Sequence, residues 1–235
     1  MKVYWHTGGT GFEHYLHGIG LAFWLELKGT PCLHASLLSD DHHTIGLIAS
    51  SQTGKSTTTL RLMQYGMSLV ADDMLPLYRH AKGWRVYPGS HSLRLWPGTA
   101  HALMNGRQFE ELPRVHEKFE KRRINITTQN HLSICEHPTA LSSLYLLSRG
   151  PSSRNITIRT LAPSEAIIQL LKHSLIGDAP AALGLEEHRL RMMSRLVEDI
   201  PIKLVEYPSG FERLDSMCGM LMEDAGVCPN DGTHK

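Results

Sequence analysis

Residues 44–59 read TIGLIASSQTGKSTTT, and this stretch decides the fold. The apolar run 45–48 predicts a buried strand, the small residues of 49–56 predict a loop, and the segment 57–65 predicts a helix. Strand, loop and helix in this order are the context that a phosphate-binding P-loop requires. Backbone N–H groups of such a loop curl around a phosphate, and the positive end of the helix adds to the attraction.

The loop assigns a role to each of its positions. Lys55 would reach the β- and γ-phosphates of a nucleotide, and the Ser56 hydroxyl would bind Mg²⁺. Ala49 stands where the first glycine of the pattern is expected, and alanine tolerates a turn less well than glycine. The alternative is a surface turn that happens to contain Gly-Lys-Ser. The candidate nucleotide-binding residues are Ala49, Ser50, Ser51, Gln52, Thr53, Gly54, Lys55, Ser56 and Thr57.

Composition excludes several classes of protein. The formal net charge is +1, so no strong field points to nucleic acid or to an anionic membrane. No apolar run approaches the roughly 20 residues of a membrane span, and the N-terminus lacks the layout of a secretory signal. The four cysteines are scattered without a CxxC pair, which argues against a zinc site or a disulfide scaffold. We therefore expect a cytoplasmic protein that binds neither nucleic acid nor membrane.

Two carboxylates follow a second apolar strand. The segment 67–71 predicts a buried strand, and Asp72 and Asp73 come directly after it. In open α/β sheets, ligands bind outside the carboxyl ends of the strands, so these carboxylates would emerge beside the nucleotide. A strand followed by an ordinary Asx turn is the alternative.

Upstream of the loop, residues 1–31 are predicted to be a strand-rich lead-in, within which 15–27 is either a buried helix or a strand pair. Residues 31–38 predict a strand that contains His34. The polar segment 39–43 predicts a hairpin turn, which would pair this strand with the P-loop strand.

Downstream, the polar stretch 106–123 predicts an exposed excursion that ends in Lys121, Arg122 and Arg123. These cations could stabilise the charge of a transferring phosphate, or they could be a solvated basic run. Residues 164–175 and 186–200 predict amphipathic helices, and the tail 226–235 is expected to be frayed. No internal repeat or clean boundary is visible, so we expect one domain over residues 1–235.

With these motifs in view, the chain resembles the HPr kinase/phosphorylase family. Four features carry the resemblance: His34 in LHAS, the loop ASSQTGKS, the segment LVADD at 69–73, and the spacings between them. Those spacings are 15 residues from His34 to Ala49 and 17 from Lys55 to Asp72. The resemblance covers about residues 30–80. It implies an α/β fold of the HPr kinase catalytic-domain type, with a mixed sheet flanked by helices.

The resemblance also implies roles. Asp72 matches the catalytic aspartate that takes the proton from an attacking serine, and His34 would hydrogen-bond near Asp72 and orient it; a satisfied core histidine is the alternative. Ser56 and Asp73 would hold Mg²⁺, and Lys55 would hold ATP. The family's later Glu-x-Arg-Gly-Leu-Gly stretch is absent, and LRLWP stands at 93–97 instead, so neither phosphorolysis nor a second metal-binding carboxylate is carried over.

The acceptor is left open at this stage. The compact chain is similar to short HPr-kinase-related proteins, among them kinases that phosphorylate the C-terminal serine of lasso-peptide precursors. The resemblance therefore implies a peptide or protein substrate with an acceptor serine, and HPr itself or a small alcohol are alternatives. A P-loop ATPase acting as a nucleotide-dependent regulator and a binding module with a decayed P-loop are the rival functions. Assembly into a homo-oligomer is also open.

Overall fold

The computed structural model describes Tyr4 and residues 15–104, 106–115, 120–129, 131–150 and 155–227. Most of the predicted lead-in before residue 15 lies outside these ranges. The tail after residue 227 also lies outside them.

The chain alternates strands and helices. The strands are β1 (Cys32–Leu33), β2 (Ala35–Ser39), β3 (Thr44–Ala49), β4 (Ser68–Ala71), β5 (Leu75–Pro76), β6 (Tyr78–His80), β7 (Gly83–Val86), β8 (Ser92–Leu95), β9 (Arg122–Asn125), β10 (Ser133–Ile134), β11 (Thr139–Arg149), β12 (Thr157–Thr160) and β13 (Ile202–Tyr207). The helices are α1 (Leu21–Leu27), α2 (Lys55–Gln64), α3 (Pro97–Leu103), α4 (Gly106–Glu111), α5 (Pro163–Lys172), α6 (Ala179–Ala182), α7 (Glu186–Asp199) and α8 (Leu214–Ala225). A π-helical turn, Leu16–Gly20, precedes α1, and a 3₁₀ turn, Ile126–Thr128, follows β9.

The central sheet is mixed and has the strand order β10-β4-β2-β3-β11-β13-β12. The pairs β10–β4, β3–β11 and β11–β13 are parallel, whereas β2 runs antiparallel to both β3 and β4. The carboxyl ends of β3, β4, β11 and β13 therefore lie along one edge of the sheet. Because β2 is inserted in the opposite direction, its first residues reach that same edge between β3 and β4.

Each face of the sheet has its own core, because side chains alternate along the strands. Leu38 and Leu47 face a core that includes residues of α2 and α8. Leu37 and Ile48 face a second core, which includes residues of α5 and α7. A mixed sheet with helices on both faces is the predicted α/β fold class, and this prediction is confirmed.

The structure corrects two local predictions. Residues 15–27 are helical, so the lead-in is not strand-rich where it is described. Ala22 and Leu25, three residues apart on α1, pack against Cys32 and Ile176, which favours the helix over a strand pair. His34 does not lie inside a strand but at the break between β1 and β2, where its N–H donates to His173 O at 3.0 Å.

The expectation that residues 1–235 form one domain stays a prediction.

Across the described ranges, none of the helices combines the length and the apolar character needed to cross a bilayer.

Candidate active site

The predicted P-loop connects the end of β3 to the start of α2. Gln52 has φ 64° and Gly54 has φ 106°, so two left-handed residues turn the loop into the helix. A Cβ on Gly54 would lie 2.9 Å from Tyr207 Oη, and therefore both the backbone and the space require glycine here. Ala49 ends β3 in a strand pair with Leu147 and needs no positive φ, which explains why alanine is tolerated at this position.

Two neighbouring strands anchor the loop from the side. Arg149, the last residue of β11, donates from Nη2 to Gln52 O at 2.8 Å. Tyr207, the last residue of β13, donates its hydroxyl to Thr53 O. Both contacts use carbonyl oxygens of the loop, so they fix its path without using the N–H groups that a phosphate would need.

Lys55, Ser36 and Asp72 form a buried polar cluster beside the loop. Lys55 Nζ lies 3.0 Å from Ser36 Oγ and 3.3 Å from Asp72 Oδ1, and the Ser36 hydroxyl donates to the same Asp72 oxygen at 2.5 Å. The side chains of Lys55 and Asp72 are only 8% and 2% exposed. The second oxygen, Asp72 Oδ2, is also buried and has no hydrogen-bond partner among the described residues. An unpartnered buried carboxylate oxygen is costly, so this atom requires an explanation, and a catalytic role is one of those known for such groups.

Asp73 is the most strongly paired carboxylate of the site. Arg94 Nη1 lies 2.7 Å from its Oδ2, while His34 Nε2 and Lys55 Nζ lie 3.3 and 3.5 Å from its Oδ1. Burial by itself would raise the pKa of this carboxyl, but the hydrogen bond from His34 opposes that effect. The positive charges of Lys55 and Arg94 add to it, and together they hold the pKa of Asp73 well below its usual range. The carboxylate is therefore ionised, at a point where two cationic side chains and the imidazole of His34 meet.

His34 contacts a different aspartate from the one predicted. The expectation was a hydrogen bond near Asp72, but Asp73 is the partner and Ser36 occupies the position beside Asp72. The reason lies in the antiparallel register: β2 pairs Leu37 with Ala71, so the next residue of β2 towards its start, Ser36, falls level with Asp72. His34, two residues further back, reaches Asp73 instead.

The two-stranded antiparallel sheet β8–β9 brings further cations to this edge. Arg94 is on β8, and Lys121 precedes β9 with its Nζ 5.1 Å from the centre of the Trp96 ring. Burial lowers the pKa of Lys121, and the negative charge of Asp73 acts in the opposite direction, which places the ammonium within electrostatic reach of the site. Of the three predicted charge stabilisers, Lys121 is the one whose charge interacts with Asp73, and its role in stabilising a phosphate stays a prediction.

The other two predicted charge stabilisers, Arg122 and Arg123, have different positions relative to the site. Arg122 is not brought to the site: its guanidinium donates to Glu110 O and Leu112 O at 2.7 Å each, so it connects β9 to the C-terminal end of α4. The predicted phosphate-stabilising role is wrong for this residue, because successive strand residues face opposite sides. Arg123 stands opposite Arg94 in the β8–β9 register, and its exposed side chain shares the face of Arg94.

The remaining loop residues are placed as follows. Ser50, Ser51 and Gln52 are exposed, and Thr53, Gly54 and Ser56 are half-buried. The Thr57 hydroxyl lies 2.7 Å from the Thr99 hydroxyl of α3, so this side chain joins two helices. Oxygen ligands that suit Mg²⁺ are present at this edge of the sheet in Ser56, Asp72 and Asp73, and the unpartnered Asp72 Oδ2 fits an arriving cation or hydroxyl.

Four contributors were missed at the level of sequence: Ser36, Arg94, Arg149 and Tyr207. Ser36 was open to inference, because it lies two residues from His34 and strand residues at that spacing share a face. Arg94 lies in LRLWP, which was compared with the family pattern but was not assigned a role. Nothing local marks Arg149 or Tyr207, since their role depends on the parallel pairing of distant strands.

Comparisons with known proteins concern the fold alone. No protein-family model matches the chain, and no curated protein matches it. Among solved structures, the HPr(Ser) kinase/phosphatase from Coxiella burnetii is similar, with a TM-score of 0.46 and 14% sequence identity over 82% of this chain and 89% of that chain. At this level of similarity we draw no functional conclusion from the likeness.

Proposed function

We propose that this protein is an ATP-dependent kinase that transfers the γ-phosphoryl group to a serine hydroxyl of a peptide or protein. One observation carries the proposal: Asp72 presents a buried, unpartnered oxygen beside a P-loop lysine, while its other oxygen is fixed by Ser36 and Lys55. Such a carboxylate is positioned and has one acceptor site left, which is what a group that receives a proton from an incoming alcohol requires.

Phosphate binding is assigned to the loop and to Lys55. The loop is fixed through its carbonyl oxygens by Arg149 and Tyr207, and it leads directly into the positive end of α2. Lys55 is held in place by Asp72 and Ser36 before any nucleotide arrives. Because its ammonium is already oriented, little side-chain entropy is lost when it turns to a phosphate.

Asp72 is assigned the proton. As the bond between the γ-phosphorus and its bridging oxygen breaks and the bond to the serine oxygen forms, the serine proton passes to Asp72 Oδ2. A carboxylate suffices because the transition state of phosphoryl transfer is loose and placement matters more than basicity. Ser36 and Lys55, which both bind Oδ1, keep the carboxylate in orientation during this step.

Ser56 and Asp73 are the residues that would hold Mg²⁺, which supplies charge neutralisation on the phosphates when bound. Asp73 is ionised and surrounded by cationic groups, so a divalent cation would compete with those groups for its oxygens. Arg94 and Lys121 are then the cationic side chains proposed to stabilise the negative charge of the phosphoryl group during transfer. A positioned cation at that point typically contributes about 10²–10³-fold to the rate.

The acceptor is a serine in this proposal, and the C-terminal serine of a lasso-peptide precursor is the first candidate, because the motif set resembles that branch of kinases. The protein would be incubated with Mg-ATP and a precursor peptide that ends in serine, with HPr in parallel. Intact mass would be recorded for both acceptors. The matched control is the same peptide with a C-terminal alanine.

We expect one added phosphate on the serine peptide and none on the alanine peptide. Phosphate on HPr would support kinase activity but would identify HPr, and not the precursor peptide, as the acceptor. ATP consumed without phosphate on any acceptor would contradict the proposal in favour of a P-loop ATPase. ATP bound but never consumed would favour a binding module.

A further inference from the structure

Asp41, Cys135 and His137 form a cluster at the end of the sheet opposite the P-loop. Asp41 lies in the hairpin turn between β2 and β3, and Cys135 and His137 lie in the segment between β10 and β11. One ligand atom from each side chain falls within 4.8 Å of the others. Since β3 has six residues at about 3.3 Å each, this cluster is about 17–20 Å from the P-loop. It is therefore separate from the site described above.

The geometry of this cluster is close to that of a metal site. Cys135 Sγ lies 3.8 Å from each ring nitrogen of His137. With Zn–S of about 2.3 Å and Zn–N of about 2.0–2.1 Å, a tetrahedral ion requires a sulfur-to-nitrogen distance of about 3.6 Å. The sulfur-to-nitrogen distance is thus within a few tenths of an ångström of that value. Because Sγ is equidistant from both ring nitrogens, the imidazole of His137 must also rotate to direct one of them at the ion. The Asp41 ligand atom already lies within 4.8 Å of the other two.

The backbone on both sides of the cluster is fixed. The Cys135 N–H donates to Leu69 O at 2.8 Å, which fixes the backbone of Cys135 beside the start of β4. The Asp41 N–H donates to Ser39 Oγ at 3.2 Å, which fixes the hairpin turn. Cys135 is buried, whereas Asp41 and His137 are exposed. A cavity of about 550 Å³ is lined by Asp41 but not by Cys135 or His137.

We propose that Asp41, Cys135 and His137 bind a Zn²⁺-class transition-metal ion. A thiolate and an imidazole select Zn²⁺ over Mg²⁺, which prefers oxygen ligands, so this site does not compete for the metal of the phosphoryl-transfer site. Three protein ligands leave a fourth position for water from the open side. On binding, the Cys135 thiol releases its proton to solvent and the sulfur coordinates the ion.

The ion would join two segments that lead into the core strands. The hairpin that contains Asp41 continues into β3 and the P-loop, and the segment that contains His137 continues into β11, the parallel neighbour of β3. A metal that bridges them would stabilise the folded state, because it binds the folded chain better than the unfolded one. The site therefore has a structural role, independent of the proposed kinase activity.

Co²⁺ substitution tests the site directly. Tag-free full-length protein would be titrated with Co²⁺ and followed by absorption, and then with Zn²⁺ against a chromophoric chelator. We expect one Co²⁺ per chain, with a thiolate-to-cobalt charge-transfer band and tetrahedral ligand-field bands, and displacement of the Co²⁺ by Zn²⁺. Zn²⁺ should also raise the Tm. Loss of even an outer-shell partner costs about 10–100-fold in metal affinity, so His137→Gln and Asp41→Asn should each weaken Zn²⁺ binding at least that much.

Matched controls separate this site from the rest of the chain. Cys135→Ala should abolish the charge-transfer band, whereas Cys218→Ala should keep it. His131→Gln and Asp178→Asn are single substitutions of exposed residues elsewhere in the chain, and each should leave Zn²⁺ affinity unchanged. Asp72→Asn, which removes the proposed proton acceptor, should also leave Zn²⁺ affinity unchanged. Absence of the band, or a band that survives in both Cys135→Ala and His137→Gln, would overturn the proposal. Because both His137 and Asp41 are exposed, we expect their variants to fold. Their Zn²⁺ affinity can therefore be measured even if Cys135→Ala does not fold.

Discussion

Lys55 Nζ lies 3.3 Å from Asp72 Oδ1, and both side chains are buried at the edge of the sheet where the P-loop begins. The residue proposed to hold the nucleotide and the residue proposed to receive the proton are therefore one ion pair before substrate arrives. Removing Lys55 leaves the buried Asp72 without a cationic partner, which is strongly destabilising, whereas removing Asp72 leaves Lys55 with Asp73 at 3.5 Å. Kinetic changes in either variant must be measured on protein that has been shown to be folded.

Lys55→Ala should lose ATP binding and phosphoryl transfer together. The ammonium is the cation already oriented at the start of α2, so its loss removes both attraction for the phosphates and stabilisation of the transition state, a loss of about 10²–10³-fold in kcat from the second effect alone. Calorimetric titration with Mg-ATP and a transfer assay on the same sample would check this, with circular dichroism for folding. Wild-type ATP affinity in a folded Lys55→Ala protein would contradict the assignment.

Arg94→Ala should slow transfer by about 10²–10³-fold, because it removes a cation that lies beside Asp73, next to the proposed phosphate-binding loop. Arg94→Lys should recover only part of the rate, since an ammonium lacks the planar fork of the guanidinium. The matched control is Arg159→Ala, an exposed arginine on β12 that pairs with Glu165. Single-turnover transfer at saturating Mg-ATP is the measurement, and equal rates in Arg94→Ala and Arg159→Ala would rule out a role for Arg94.

Two buried thiols should resist alkylation. Burial raises the pKa of Cys32 to about 12 and likewise that of Cys218 to about 12. In the folded chain these two thiols ionise only as the pH approaches 12, whereas in the unfolded chain a cysteine thiol ionises at about pH 8.5. The folded state thus binds more protons, and these thiols make stability fall as pH rises above about 8.5.

Iodoacetamide labelling at pH 8, read by peptide mapping with and without urea, would check this thiol prediction. Both cysteines should be labelled only in urea. Rapid labelling of either cysteine in the folded protein would show that its thiol is accessible and would contradict the prediction.

The buried pair Glu26–Arg189 should be important for stability. Arg189 Nη1 donates to Glu26 Oε1 at 3.0 Å, and both side chains are at most 2% exposed. Glu26→Gln should cost about 3–5 kcal/mol in the free energy of unfolding, because it leaves a buried guanidinium without its counter-charge. The double variant Glu26→Leu/Arg189→Met should recover most of that loss. Urea unfolding would test this, and a double variant less stable than Glu26→Gln would refute it.

Local sequence was sufficient for the parts of the site that are contiguous in the chain. Residues 44–59 and 67–73 were predicted because each combines a buried apolar strand with polar residues at its end, and both ends are now found at one edge of the sheet. The contact between Ser36 and Asp72 was not predicted, because it depends on the antiparallel insertion of β2 between two strands far apart in sequence. A hairpin turn predicts the pairing of β2 with β3 but not with β4.

The basic run shows a second limit. Lys121, Arg122 and Arg123 are adjacent in sequence, yet Arg122 binds the carbonyls of Glu110 and Leu112 while Lys121 is directed to the site. Strand alternation makes neighbours face opposite sides, but the sequence alone does not tell which side faces the ligand. That choice is made by Leu93 and Leu95, which bury one face of β8 in the core and so turn Arg94 towards Asp73.

The most direct test of the central claim compares wild type with Asp72→Asn in one sample series. Mg-ATP binding would be measured by calorimetry, and transfer to the serine-ending peptide by intact mass. We expect Asp72→Asn to bind Mg-ATP and to lose transfer by about 10²–10⁴-fold, because the amide keeps the shape of the side chain and cannot take the serine proton. Near-normal transfer by a folded Asp72→Asn protein would contradict it.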